Sequence, residues 1–335
     1  MSSAMMKRIS IAILIAIAVI FPLVVDNQYI SRLMTLSFIY IIAIYGMNLL
    51  AGFTGYLSLA HAGFFAVGAY ALGIFTTRYE MHFWLAFILA ILFTTVVGAI
   101  IGLIALRTRE HFFAIYTLIV GYLIYLIIDK WDEMTGGVRG LIGIPYPSAI
   151  GPLEFNNELT MYYLNLFFFL LATLVMARIV HSLTGRTFIA IRNSEELAQT
   201  IGINTQTNKI TSFVISIVFA GTAGALYAAY VRFLGPDIAN LPMVFDFLMY
   251  LIVGGIGTIA GPIVGTMLIT FLTQSLQGLQ EYRMLIFGPI LTLLVIFYPN
   301  GIVGAISMFK MKFQNKRREK AQNLQNQDKN EVKEG

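Results

Sequence analysis

The 45 residues from Leu33 to Thr77 contain no Asp, Glu, Lys or Arg. A helix crosses a bilayer in about 20 apolar residues, so this run holds two spans, divided at Gly52-Phe-Thr-Gly55. A second charge-free run, the 34 residues from Phe247 to Gln280, is again too long for one crossing and divides between Gly254-Gly-Ile-Gly257 and Gly261-Pro262. Hydrocarbon offers no partner for backbone N–H and C=O groups, so each span must be helical. The fold class is therefore all-α: a polytopic transmembrane helical bundle with Gly-rich interruptions.

The other apolar runs are Ile9–Val25, Met81–Leu106, His111–Ile128, Leu159–Val180, Ile210–Val231 and Met284–Phe309, which brings the total to about ten spans. Ile9–Val25 follows Lys7 and Arg8 like a secretory leader, but Asp-Asn-Gln-Tyr comes after it instead of a small-x-small cleavage site, so it reads as a retained first span. Residues 1–309 form the transmembrane domain. Residues 310–335 are a charged tail with few apolar side chains, expected to be disordered. Only 12% of the chain is charged, against about 25% in soluble domains. There is no Cys, which excludes disulfides, thiolate nucleophiles and Cys-ligated metals.

Charge sets the orientation. With the N-terminus in the cytoplasm, 16 of the 22 Lys and Arg residues fall on the inside, counting the tail. This bias places both termini and the segment 181–208 in the cytoplasm, and the Pro- and acid-containing loop 129–158 outside. The same bias accounts for the basic isoelectric point without nucleic acid as a partner.

Segment 181–208 is the largest polar interruption on the cytoplasmic side. Within Gly185–Gly202 a short helix is expected from Ser194 to Ile201, with Asn193 as N-cap, Glu196 at the third helical position as in a capping box, and Gly202 as the stop. Ile191, Leu197, Ala198 and Ile201 recur at helical spacing. A helix with one apolar edge and several charges suits docking into a groove on a soluble partner; a solvated loop between two spans is the plain alternative.

No enzyme constellation is present: no Walker A sequence, no His-Glu-x-x-His, no Gly-x-Ser-x-Gly and no paired carboxylates within a span. The chain is read as non-enzymatic, with no metal and no cofactor bound directly. His61 and Asp246 are the main titratable groups near membrane depth. Ion-driven carriers place several acids within their spans, and their scarcity here argues that energy arrives from elsewhere. Interrupted helices in both halves of a transporter point to a path near the midplane. On that reading Gly254, Gly255 and Gly257 belong to the path, and Asn48, Thr54, Ser58 and His61 around the first break offer hydrogen bonds to a polar solute. Packing of small residues between helices is the plain reading of the same glycines.

Together these stretches resemble a known family. The run Asn48-Leu-Leu-Ala-Gly-Phe-Thr-Gly-Tyr-Leu-Ser-Leu-Ala-His-Ala-Gly63 is similar to the signature of branched-chain amino acid permeases of ABC importers. Thr135-Gly-Gly-Val-Arg-Gly-Leu141 is similar to their external loop, with Val138 and Arg139 departing from it. Gly254-Gly-Ile-Gly-Thr258, Gly261-Pro262, Glu281–Gly288 and Tyr298-Pro-Asn-Gly301 follow in order, and the last two resemble the LivM type rather than the LivH type. The resemblance implies that Gly185, Arg186, Ile191, Arg192, Glu195, Glu196, Ala198 and Gly202 belong to a loop that couples to a cytoplasmic ATPase, although the Glu-Ala-Ala core of other ABC permeases reads Glu196-Leu-Ala here. It further implies ATP hydrolysed by partner ABC ATPase subunits, a second, LivH-like permease, an extracytoplasmic solute-binding protein, and a bacterial-type plasma membrane with its lipid around the spans. The expected solute is a branched-chain amino acid. Another small solute such as urea, or stand-alone secondary transport, are the alternatives.

Overall fold

The computed structural model describes residues 3–25, 27–108, 110–275, 288, 289, 292 and 301–305. The expected last span, Met284–Phe309, and the Glu281–Gly288 and Tyr298–Gly301 motifs lie outside these residues except at single positions, and the tail 310–335 lies outside them entirely.

Long helices run up and down. They are α1 (Ser3–Val24), α2 (Gln28–Asn48), α3 (His61–Thr77), α4 (Phe83–Ala105), α5 (Glu110–Lys130), α7 (Glu158–His181) and α10 (Thr205–Val231). The shorter ones are α6 (Asp132–Thr135), α8 (Leu183–Asn193), α9 (Glu195–Thr200), α11 (Leu241–Gly254) and α12 (Ala260–Ser275). Five stretches are long and apolar enough to cross a membrane: Gln28–Thr54, Phe83–Ala105, Phe112–Lys130, Glu158–His181 and Thr205–Val231. Ala12–Val24, His61–Thr77, Leu241–Gly254 and Ala260–Thr273 are shorter apolar helices. Both charge-free runs divide as expected, and the protein is an all-α, multi-pass membrane protein.

Small residues line much of the buried face of α4, beside Phe83 and Phe87. Along α4, Ala86, Ala90, Thr94, Gly98, Gly102 and Ala105 are buried, while Leu85, Ile88, Leu92, Val96, Ile100 and Leu103 are exposed. Lipid is as apolar as leucine, so hydrophobicity does not drive one helix onto another. Close backbone approach and packing do. Helices α3 and α10 approach closely: a methyl at Gly68 would lie 2.6 Å from the Gly221 Cα and one at Gly224 would strike the Phe65 carbonyl. Helix α2 is the most enclosed span, buried from Phe38 to Asn48 except at Tyr40. Pro22 of α1 cannot donate to the carbonyl of Ala18, and the Tyr162 hydroxyl of α7 donates to that carbonyl instead at 2.7 Å.

At one end of the bundle the loop 131–157 is tied down. Its strand β1 (Leu141–Ile142) pairs antiparallel with β2 (Phe233–Leu234), just past α10. Arg232 Nε donates to the Ile144 carbonyl at 2.9 Å, and its guanidinium stacks over Tyr146. Trp84 Nε1 donates to the Ser148 carbonyl at 2.9 Å. At the other end lie α8, α9 and both helix breaks.

The α3–α10 crossing yields a direct test. Gly224→Ala is expected to destabilise the protein by about 1–3 kcal/mol because two backbones must separate. Ile88→Ala, on the exposed face of α4, is expected to stay within about 0.5 kcal/mol. Thermal melting in detergent reads both.

Candidate functional site: the α8–α9 segment and the two helix breaks

The polar segment is more ordered than a loop. Ser182 caps α8, its hydroxyl accepting from Gly185 N at 3.1 Å. Gly185 is buried against the end of α7, where a methyl would lie 2.6 Å from the Val180 carbonyl oxygen. Asn193 therefore ends α8 instead of capping the next helix, which corrects the expected N-cap. Ser194 caps α9 by accepting from Leu197 N at 3.2 Å. The third helical position then falls on Leu197, so Glu196 forms no capping box and stands exposed. Gly202 does supply the stop, with φ of 86°.

The apolar residues of this segment separate into two sets. Phe188, Ile191 and Ala198 are buried against the bundle. Leu183, Leu197 and Ile201 are about 70% exposed, and the latter two stand one turn apart across α9. Arg186 is exposed.

Glu195 locks α9 to the core. Its carboxylate accepts from Lys209 Nζ of α10 at 2.7 Å and from the Tyr56 hydroxyl just beyond the first break. Lys209 is buried, donates also to the Tyr56 oxygen at 3.3 Å, and lies over the Tyr56 ring. Partial burial opposes the Glu195 charge, but the bonds from Lys209 and Tyr56 and the Lys209 charge outweigh it, so its pKa falls below the ordinary glutamate value.

The two breaks meet each other. Past α2 the chain continues as a π-helical turn, Leu49–Thr54, and ends at Gly55 with φ of 89°. The second break is 255–259, between α11 and α12. Asn48 bridges them: its Nδ2 donates to the Thr258 carbonyl at 2.8 Å and its Oδ1 accepts from Gly257 N at 2.8 Å. Gly52 and Gly257 lie so close that a methyl on Gly52 would sit 2.5 Å from Gly257 N. The Arg192 guanidinium completes the junction, one Nη donating to the Gly52 carbonyl.

Arg192 of the polar segment reaches the first break. The junction lies toward the α8–α9 end of the bundle. Of the polar residues expected around it, Asn48 spends both ends of its amide on the second break. Thr54 Oγ1 donates to the Leu49 carbonyl, and His61 Nε2 pairs with the Ala43 carbonyl at 2.8 Å. Ser58 Oγ is buried with no hydrogen-bond partner among the described residues, as are the hydroxyls of Ser216, Thr266 and Thr270. The last three were not singled out from sequence, because a hydroxyl in an apolar run carries no signal until its neighbours are known. Gly254 closes α11, where a methyl would strike the Gly261 carbonyl, and Gly255 follows with a positive φ of 123°, a conformation that favours glycine.

A model of the family described as branched-chain amino acid transport system, permease component, matches residues 29–296, a range that contains both breaks and the α8–α9 segment. The chain belongs to this family. The permease is 28% identical over 324 residues to the high-affinity branched-chain amino acid transport system permease protein LivM of Escherichia coli K12, covering 90% of this chain and 76% of that one. It is 25% identical over 292 residues to LivH of Salmonella typhimurium, covering 81% and 92%. A probable LivM of Methanocaldococcus jannaschii is 24% identical over 235 residues, covering 65% and 67%. No solved structure matches. The LivM-type resemblance seen in the motifs thus extends over 90% of the chain.

The Glu195 lock makes a prediction for the permease. Glu195→Gln leaves Lys209 buried without its counter-charge and is expected to destabilise the fold by about 1–3 kcal/mol. Because the folded-state pKa of Glu195 is lowered, its contribution is full above the unfolded value near 4.3 and is lost as the pH falls through the folded value. Melting in detergent from pH 7 down to pH 3 should show the variant and the parent converge at the acid end.

Proposed function

We propose that this permease is one of two membrane subunits of an ATP-driven importer, and that α8 and α9 dock on a cytoplasmic ABC ATPase. The observation that carries this reading is the exposure of Leu197 and Ile201 on a helix whose other face, through Ala198 and the Glu195 lock, is fastened to the bundle. An exposed apolar pair on a braced helix beyond the last apolar residues of the spans is suited to a partner's groove. ATP is bound and hydrolysed by the partner. Docking positions Gly185, Arg186, Ile191, Arg192, Glu195, Glu196, Ala198 and Gly202 as parts of one coupling unit: the glycines shape it, Ile191 and Ala198 fasten it, and Glu196 stands beside the exposed pair.

The second subunit is a LivH-like permease, since the related permeases carry both the LivM and LivH names. A solute-binding protein delivers a branched-chain amino acid to the face bearing loop 131–157. The membrane is a bacterial-type plasma membrane, with both termini and α8–α9 on the cytoplasmic side, as the distribution of Lys and Arg requires. The path runs past the unspent hydroxyls of Ser58, Ser216, Thr266 and Thr270 and past the break junction. Asn48, Thr54 and His61 reach a solute there only by exchanging their present bonds.

Two measurements test this. A Leu197→Ser/Ile201→Ser variant loses the burial of two large side chains, about 3 kcal/mol or more, and its ATPase subunits should no longer co-purify. Wild-type co-purification would remove α9 as the docking element. The chain has no cysteine of its own, so Glu196→Cys is a clean probe: a membrane-impermeant maleimide should label it in inside-out vesicles and leave it untouched in intact cells. Labelling in intact cells overturns the orientation.

A further inference from the structure

We infer that Arg192 is the positioning residue that transmits movement of the docked segment to the solute path, by bolting α8 to the junction of the two helix breaks. The inference rests on the docking reading above and goes beyond it to the part that carries the motion.

Three independent features converge on this side chain. The first is the bond to the Gly52 carbonyl. Gly52 lies within the π-helical turn, where widened hydrogen bonding leaves carbonyls open to other donors. The second is space: a methyl at Gly257 would sit 2.6 Å from the Arg192 Nη1 and 2.9 Å from the Gly52 carbonyl oxygen, so one glycine of the second break makes room for the guanidinium and the first break together. The third is the wall at Gly55, where a methyl would lie 3.3 Å from the Arg192 Cα and 3.4 Å from its Cβ. The backbone of α8 therefore rests directly on the end of the first break. Asn48 then carries the connection onward to Gly257 and Thr258.

The consequence is mechanical. Arg192 is the last basic residue of α8, one residue before its end, and Glu195 fixes the next helix to Tyr56, four residues past Gly52. A displacement of α8 and α9 cannot leave the first break where it is unless both of these contacts let go. The Glu195 lock carries α9 together with Tyr56, beyond the first break. Arg192 carries α8 together with the first break itself, at Gly52. Gly52 packs on Gly257 and Asn48 bonds across to Gly257 and Thr258, so a pull through the arginine reaches the second break as well.

The full complex, with ATPase subunits and second permease, is reconstituted in proteoliposomes, and leucine uptake and ATPase activity are read with and without loaded binding protein. Arg192→Met is expected to keep the ATPase subunits at wild-type yield but to lower uptake roughly 10-fold or more, the loss of one charge-assisted hydrogen bond, and to abolish stimulation of ATPase by the binding protein. Arg192→Lys keeps one donor for the Gly52 carbonyl but not the planar fork, and should recover part of the stimulation. Gly257→Ala crowds the guanidinium and should behave like Arg192→Met, with no further loss when the two are combined. Uptake by Arg192→Met within twofold of wild type overturns the inference. So does loss of the ATPase subunits from Arg192→Met, which would make Arg192 a docking contact. If Arg192→Met does not reach the membrane, Arg192→Lys decides: full stimulation at reduced stability means a structural role only. Failure of docking itself shows separately, as retention of the ATPase by the Leu197→Ser/Ile201→Ser variant.

Discussion

A helix interrupted inside a membrane leaves peptide groups that water does not reach, and the protein must satisfy them itself. Here one side-chain amide serves both interruptions. Asn48 bonds to the Thr258 carbonyl and the Gly257 N–H at once, so two breaks more than 200 residues apart in the chain become a single junction. The glycines follow from this. Gly52 and Gly257 lie where the two backbones approach, and side chains there would hold apart the strands that Asn48 joins. The small residues of α4 and of the α3–α10 crossing extend the same solution across the bundle, since close packing takes the place of the hydrophobic effect between helices in lipid.

The polar segment is attached to that junction by two charge-assisted contacts. Glu195 with Lys209 and Tyr56 holds α9 against α10 and the end of the first break. Arg192 holds α8 to Gly52 within that break. Two ties on successive short helices are an arrangement suited to passing a displacement inward. Each of the two helices is capped by its own serine, Ser182 and Ser194, so the segment shapes its own helix starts.

The helical, multi-pass character, the positions of both divisions and the polar segment were legible in the sequence, because a charge-free run longer than one bilayer thickness must turn back, and glycine marks where. Among the described residues, five of the expected spans are long enough to cross a membrane and four more are shorter apolar helices. Less legible were the caps. Asn193 and Ser194 are both good capping residues, and the choice between them depends on where α8 ends, which Gly185 packed on the end of α7 helps decide. Interruption alone says that a helix stops, and only the reach of Arg192 shows which end of the bundle the junction faces.

The sequence by itself determined the solvent of this protein, its helical class and its family, since these depend on composition and on runs of residues read along the chain. The tertiary structure alone decided which polar groups are spent and which are free. Asn48, Glu195 and Lys209 look like isolated polar residues in the chain, and each finds its partner from 14 to 210 residues away. Such pairings are fixed by how helices cross, and a crossing depends on the shapes of two surfaces that no single stretch of sequence contains.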